Sequence, residues 1–441
     1  MNHLLNNLIV YNHLKKDPVL SAFAGICRLV ESDGLDEMPS PAESEELRTL
    51  AFDSIHRIME VATQYGFEEN LWATYVTYQL MMDENPFALV HEKQSLQKGS
   101  ASEFALRDCR FLMDLLHYDF SRLEEALSTE CFSVLTKYRT IRKHERMYFG
   151  NISHVVNDLT RKLSEADTPE SFLDALSVFY QEYGVGMFGL NKAFRIRENA
   201  DGTPELIPIS NLENVNYDDL VGYELQKEQV SANTLAFLEG KASNNTLLYG
   251  DAGTGKSTTV KATLNEFFPK GLRLIEIYKH QFKDLSYVIS RIKTRNYKFI
   301  IYMDDLSFED FEIEYKYLKA VIEGGFETRP DNILIYATSN RRHLIRETVS
   351  DRNDMGRDQD VHHSDTLEEK LSLVDRFGLN VLYTKPSFDE YHEIVRRLAE
   401  KHGITMAEAD LIAKANAWSV KKGGHTGRIA QQFINSLNPK L

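Results

Sequence analysis

A glycine, a second glycine five residues on, then a lysine and a hydroxyl residue make a spacing with chemical meaning. Gly250, Gly255, Lys256 and Ser257 fit the pattern G-x-x-x-x-G-K-[ST]. Glycines permit backbone angles that turn several N–H groups into one concavity, and a helix beginning near Lys256 adds the positive end of its dipole. Such a cradle suits a polyphosphate. Asp251, Ala252, Gly253 and Thr254 would form its wall, with Thr258 just behind. Lys256 would reach the β- and γ-phosphates, and the Ser257 hydroxyl would ligate Mg²⁺.

A second stretch, "KFIIYMDDLSF" (298–308), ends an apolar run in two acids. A strand of this kind sets its carboxylates at the carboxyl edge of a parallel sheet, where α/β proteins bind ligands. Asp304 would hold the Mg²⁺ shell, and Asp305 would orient or deprotonate an attacking water. A third run, "NILIYATSNRRHL" (332–344), reaches Thr338, Ser339 and Asn340, whose amide would meet the γ-phosphate or that water.

The elements that must position these groups follow from periodicity. "NTLLY" (245–249) reads as a buried strand and "STTVKATLNEF" (257–267) as an amphipathic helix. Strands are expected at 245–249, 272–278, 298–304, 332–338 and 379–383, alternating with helices as in a parallel sheet with crossover connections. Residues 1–190 read as mainly helical, with helices predicted over 44–66, 101–127 and 168–184, the last opening on a capping pattern at Thr168. "KAFRIRENADGTPELIPIS" (192–210) reads as a hairpin, taken as a linker over 191–217. The expected domains are therefore 1–190, a helical N-terminal domain; 218–385, an α/β core; and 386–441, a small helical lid.

Composition bounds the rest. The chain has 441 residues, 42% of them hydrophobic and 27% charged, which is ordinary for a globular protein of two or three domains. No apolar run approaches the ~18 residues needed to span a bilayer. The N-terminus has no basic n-region and no small-residue cleavage site, so no secretory signal is expected. Cys27, Cys109 and Cys131 are widely spaced and odd in number, which indicates thiols in a reducing cytoplasm rather than a disulfide framework or zinc site. The net charge is -15. Residues 1–210 hold 20 Lys and Arg against 32 Asp and Glu, and residues 211–441 hold 31 against 34. An acidic front half disfavours broad nucleic-acid binding.

This order of signals resembles the AAA+ ATPases. The resemblance covers about 211–441 and implies an α/β AAA+ module, a parallel sheet with flanking helices and a helical lid, preceded by a mainly α-helical domain. It implies ATP and Mg²⁺ as ligands, with ADP as product, and a homo-oligomer. "DDLVGYELQKEQVSANTLAFLEG" (218–240) is similar to the segment before the P-loop, where the backbone near Val221 and Gly222 would contact adenine. Asn340 matches the sensor-1 position. "LSLVDRFGLNV" (371–381) resembles the arginine-finger region, with Arg376 reaching a neighbouring subunit; the alternative is an ion pair with Asp375 or another nearby acid. "GGHTGRIAQQF" (423–433) resembles the sensor-2 helix, with Arg428 toward the nucleotide. Phrases such as "LLYGDAGTGKS" and "EGGFETRPDNILIYATSNRRHL" resemble one family of bacterial AAA+ ATP-binding proteins whose domain has no assigned function.

Two departures matter. The AAA+ pattern has Asp-Glu where this chain has Asp304-Asp305. Aspartate is one methylene shorter, and a displacement of ~1 Å can cost about 10²-fold in rate, so slow basal hydrolysis is expected; Glu309 is an outside candidate for the base. The second departure is the polar segment 346–369, expected as a mobile loop, in which Arg352 or Arg357 could replace Arg376. A basic stretch with Lys137, Arg139, Arg142, Lys143 and Arg146 carries Tyr138, Tyr148 and Phe149, which could stack on bases; a solvated helix face is the favoured reading. His362, His363, Asp360 and Asp365 are adjacent in that loop and make a poor metal site. No aromatic-apolar-glycine triplet follows the second strand, where "YKHQFKDL" (278–285) stands, so peptide threading is disfavoured. Three functions stay open: remodelling of a protein partner bound by the N-terminal domain, DNA handling, and a nucleotide-gated switch that hardly hydrolyses.

Overall fold

The structure is a computed structural model. It describes residues 1–32, 41–92, 99–139, 150–209, 212–308, 314–323, 330–340 and 376–437. Glu309, Arg352, Arg357, Arg142, Lys143, Arg146, Tyr148, Phe149, Asp360, His362, His363, Asp365 and the segment 346–369 lie outside the described residues. The chain divides into two compact units, Met1–Asn191 and Lys192–Leu441.

The first unit is helical. Its central helix, Leu71–Met82, is capped by Asn70, whose side chain accepts from the Ala73 N–H at 3.1 Å. Almost every side chain of that helix is buried, so other helices pack all round it. Trp72 lies at the middle, edge-on to Phe23 and Phe120, and donates from its indole to the Leu115 carbonyl at 2.8 Å. The helix Pro169–Glu182 opens on Thr168, which exchanges hydrogen bonds with Ser171 in a capping box.

The apolar period over 101–127 predicts one helix, but the structure forms two, Ser100–Leu116 and Ser121–Leu127. Asp119 accepts from both the backbone N–H and the hydroxyl of Ser121, which restarts the chain. Phe120 stacks on Phe132 at 4.7 Å, so burial of an aromatic at the break outweighs helix continuity.

Among the described residues the second unit forms a seven-stranded sheet in the order β2-β1-β4-β5-β6-β3-β7. The strands are β1 Ala193–Glu198, β2 Pro204–Pro208, β3 Thr246–Gly250, β4 Leu272–Glu276, β5 Lys298–Met303, β6 Ile333–Ser339 and β7 Leu379–Tyr383. All neighbours are parallel except β1 and β2, which form an antiparallel hairpin. β1 also runs parallel to β4, with Ala193 opposite Leu274, so the hairpin extends the sheet. β5 and β6 are buried along nearly their whole length, as expected for parallel strands covered on both faces.

Helices Glu224–Leu238 and Lys256–Phe267 flank the sheet. The C-terminal helices Phe388–Lys401, Glu408–Lys422 and Gly427–Leu437 pack through Tyr391, Val395, Leu411, Phe433 and Ile434 into a small core of their own. Val221 packs against that core.

Candidate functional site

β3 ends in the glycine turn, and β7 lies directly beside it. Gly250 pairs with Tyr383 and has φ +128°. A Cβ at Gly250 would come within 2.0 Å of the Tyr383 carbonyl oxygen, so only glycine fits. The turn is then tied down: the Asp251 N–H donates to the Tyr383 carbonyl at 2.9 Å, the Thr254 hydroxyl donates to the Asp251 carbonyl at 2.7 Å, and the Lys385 N–H donates to the Asp251 carboxylate at 3.0 Å. Gly255, at φ +97°, starts the helix Lys256–Phe267 and leaves its N-terminal N–H groups facing the turn.

Lys256 folds back over this turn. Its Nζ donates to the carbonyls of Gly250 at 3.0 Å and Asp251 at 2.6 Å, and to Asn340 Oδ1 at 3.0 Å. Burial pulls its pKa below the usual lysine value; the carboxylates of Asp251, Asp305 and Asp304 oppose that shift, and Arg428 adds to it.

The acid pair stands at the ends of β5 and β6. Asp304 Oδ1 accepts three hydroxyls, from Ser257 at 2.8 Å, Tyr302 at 2.7 Å and Thr338 at 2.5 Å. Burial pushes its pKa up, but the hydroxyl donors of Thr338, Tyr302 and Ser257 outweigh it and hold the carboxyl below its ordinary value. Asp304 is therefore an anion at neutral pH. Asp305 takes the left-handed backbone conformation, φ +51°, a strained choice for a residue other than glycine. Its N–H donates to Thr338 Oγ1 at 3.0 Å, and its carboxylate accepts from Asn340 Nδ2 at 2.7 Å.

Asn340 thus joins Lys256 to Asp305 through the two ends of one amide. The structure brings Lys256, Ser257, Asp304, Asp305 and Asn340 into a single hydrogen-bonded group, built from β3, β5, β6 and the helix after β3. Thr338 belongs to it as well. Tyr302 belongs to no motif in the sequence. The available signal is strand period: Tyr302 is two residues before Asp304 and so shares its face of β5.

The lid closes on the turn from the other side. A Cβ at Gly253 would lie 3.1 Å from Thr426 Oγ1 and 3.2 Å from Arg428 Cβ. Arg428 thus stands at the start of the helix Gly427–Leu437, against the glycine turn. Gly222, φ +76°, precedes Tyr223, whose ring packs 5.2 Å from that of Tyr383 and whose hydroxyl donates to the Thr384 carbonyl at 2.8 Å. Leu220 lies beneath Gly255, where a Cβ would come within 2.7 Å of its Cδ2. Val221 and Gly222 are thereby held between the turn and the lid. Arg376 is exposed, three residues before β7, the strand beside β3.

The residues fit a magnesium nucleotide. Ser257 Oγ and the Asp304 carboxylate are hard oxygen donors, the type Mg²⁺ prefers. The turn is a concavity that a single Cβ would distort, with an ammonium and a helix N-terminus directed into it.

The chain order of β3, its glycine turn, the acid-tipped β5, the polar tip of β6 and a closing helical lid is that of an AAA+ P-loop ATPase. Within that class the chain belongs to the family described as "Protein of unknown function (DUF815)", whose model matches residues 190–441. The comparison with curated proteins returned no match. Among solved structures the chain is similar to the Thermotoga maritima RuvB Holliday junction branch migration motor, at 16% identity and TM-score 0.37. That match covers 51% of this chain and 64% of that chain, so less than two thirds of the motor's length is spanned. Two mutants of the same motor match at 17% identity with TM-score 0.37 and at 16% with 0.35, with the same coverage. At scores this low the likeness adds nothing to the topology and site geometry.

Among the described residues no helix is long and apolar enough to cross a membrane, and no cluster of His, Cys, Asp and Glu suits a metal.

Proposed function

We propose that this protein binds ATP·Mg²⁺ at the glycine turn and hydrolyses it slowly. The observation that carries the reading is the amide of Asn340 bonded to both Lys256 and Asp305 at the sheet edge. These are the groups an in-line attack on a γ-phosphate needs: a cation for the transferred group, a carboxylate for the water, and an amide between them. Bound Mg²⁺ would supply charge neutralisation on the phosphates. Lys256 would leave the carbonyls of Gly250 and Asp251 for the phosphate oxygens. Gly250 through Thr258 would wrap the phosphates, Ser257 and Asp304 would hold the metal shell, and Val221 and Gly222 would meet the base. Asp305 would position the water, and Arg428 would approach from the lid.

Arg376 is the proposed trans-acting arginine, which makes the working form a homo-oligomer. The N-terminal unit is the proposed contact for a protein partner to be remodelled or assembled. Leu50, Phe52 and Met59 stand exposed on one of its helices, Pro41–Tyr65. The net charge of -15 weighs against the DNA-handling alternative.

A second reading is a nucleotide-gated switch with little turnover. Asp305 favours it, being short, strained and already engaged by Asn340. Equilibrium binding of ATP and ADP by calorimetry, with Lys256→Ala beside the native chain, tests the shared premise. Native binding that Lys256→Ala loses supports it; binding unaffected by Lys256→Ala moves the nucleotide elsewhere and overturns it.

A further inference from the structure

We infer that Tyr302 is a positioning residue for the metal shell, acting through Asp304 together with Thr338. This rests on the ATP·Mg²⁺ reading and deepens it. Tyr302 is 4% exposed, inside β5, with its hydroxyl 2.7 Å from Asp304 Oδ1. Its backbone is fixed by the sheet: Tyr302 pairs with Tyr336 on β6, and its carbonyl accepts the Ile277 N–H at 2.9 Å. The Thr338 hydroxyl donates to the same oxygen from the neighbouring strand. Two hydroxyls from the rigid sheet thus fix one oxygen of the carboxylate. The Ser257 hydroxyl, on the helix after the glycine turn, is the third donor to that oxygen, at 2.8 Å.

The consequence is directional. Because both sheet donors engage Oδ1, the sheet sets the carboxylate's orientation before any ligand arrives. Ligand groups fixed in this way by outer partners owe part of their metal affinity to them. A buried tyrosine hydroxyl also needs a partner for stability alone. Tyr336 supplies the contrast: it is equally buried on β6, but its hydroxyl meets Thr234 at 2.8 Å and Asn233 at 3.1 Å, away from Asp304.

The experiment measures the affinity of a fluorescent ATP analogue in excess Mg²⁺ and in EDTA, for the native chain, Tyr302→Phe, Thr338→Val and Tyr336→Phe. Tyr302→Phe is expected to weaken the Mg²⁺-dependent affinity by about 10-fold or more while leaving the affinity in EDTA unchanged. Thr338→Val should show the same split and keeps the proposal testable if Tyr302→Phe does not fold. Tyr336→Phe should lower thermal stability without any Mg²⁺-specific loss. Equal losses in Mg²⁺ and EDTA for Tyr302→Phe, or a Mg²⁺-specific loss for Tyr336→Phe of the same size, would overturn the assignment. A native chain that binds the analogue in neither condition overturns the ATP reading itself, which is a different outcome.

Discussion

Asn340 donates its amide N–H to the Asp305 carboxylate across 2.7 Å while its carbonyl oxygen accepts from Lys256 at 3.0 Å. One short side chain therefore bridges the proposed phosphate cation and the proposed base. In the bridged state Lys256 is spent on protein oxygens and Asp305 on an amide. Phosphate binding would have to draw Lys256 away, which would free the Asn340 oxygen and leave Asp305 held by the N–H alone.

Asn340→Ala should therefore separate binding from turnover. Loss of a donor aimed at the reacting centre typically costs about 10²-fold in rate. ATP affinity should change by less than about tenfold, because the glycine turn and Lys256 remain. Single-turnover hydrolysis alongside equilibrium binding checks this. A variant that hydrolyses at the native rate would remove Asn340 from the mechanism.

Gly250→Ala should be among the most damaging single-atom additions in the second unit. The new Cβ meets backbone at 2.0 Å, and φ +128° is strained for any side chain. The two effects together predict a loss of about 3 kcal/mol or more. Gly240→Ala has φ +71° but nothing within 4 Å, so it should cost only about 1 kcal/mol. Urea unfolding of both variants gives the ranking; equal losses would mean that the contact with Tyr383 is unimportant.

Asp17 gives a pH prediction for the first unit. Its carboxylate accepts from the N–H groups of Val19 and Leu20 and from the Tyr75 hydroxyl. Burial nevertheless raises its pKa above the ordinary value; those donors and Arg57 only partly oppose it. The folded state thus holds this proton more tightly than the unfolded state. The associated stability is fully present below the unfolded pKa, near 4, and is lost as pH rises through the folded value. Asp17→Asn keeps a capping side chain and does not titrate. Its stability relative to the native chain should therefore rise as pH goes from about 4 toward neutrality, then level off. Thermal unfolding of both proteins across that range measures the difference; a difference that shrinks with rising pH contradicts the sign.

Much of this site could be read in the sequence because its signals are local. The glycine turn, the acids after "KFIIYM" and the polar tip after "NILIYA" each sit within a dozen residues of a strand. A parallel sheet then brings their carboxyl ends together without further information. What escaped the reading depends on pairing between distant segments. Nothing near Ala193 announces that it lies beside Leu274. Tyr302 reads as one more apolar strand residue, and only the fold sets its hydroxyl on Asp304. Asp305, with its left-handed backbone, is likewise held by Thr338 on β6 and by Asn340 just past it. The break at 117–120 carries no local signal, because "HYDF" continues the helical apolar period while Phe120 turns into an aromatic cluster.

The most direct test of the account is steady-state ATP hydrolysis across a protein-concentration series, with Lys256→Ala, Asp305→Asn and Arg376→Ala beside the native chain. The account predicts slow Mg²⁺-dependent hydrolysis whose specific rate rises with concentration. Lys256→Ala and Asp305→Asn should be inactive, and Arg376→Ala should lose the rise while still binding ATP. Hydrolysis that persists in Lys256→Ala and Asp305→Asn, or a native chain no faster than those variants at any concentration, would contradict it.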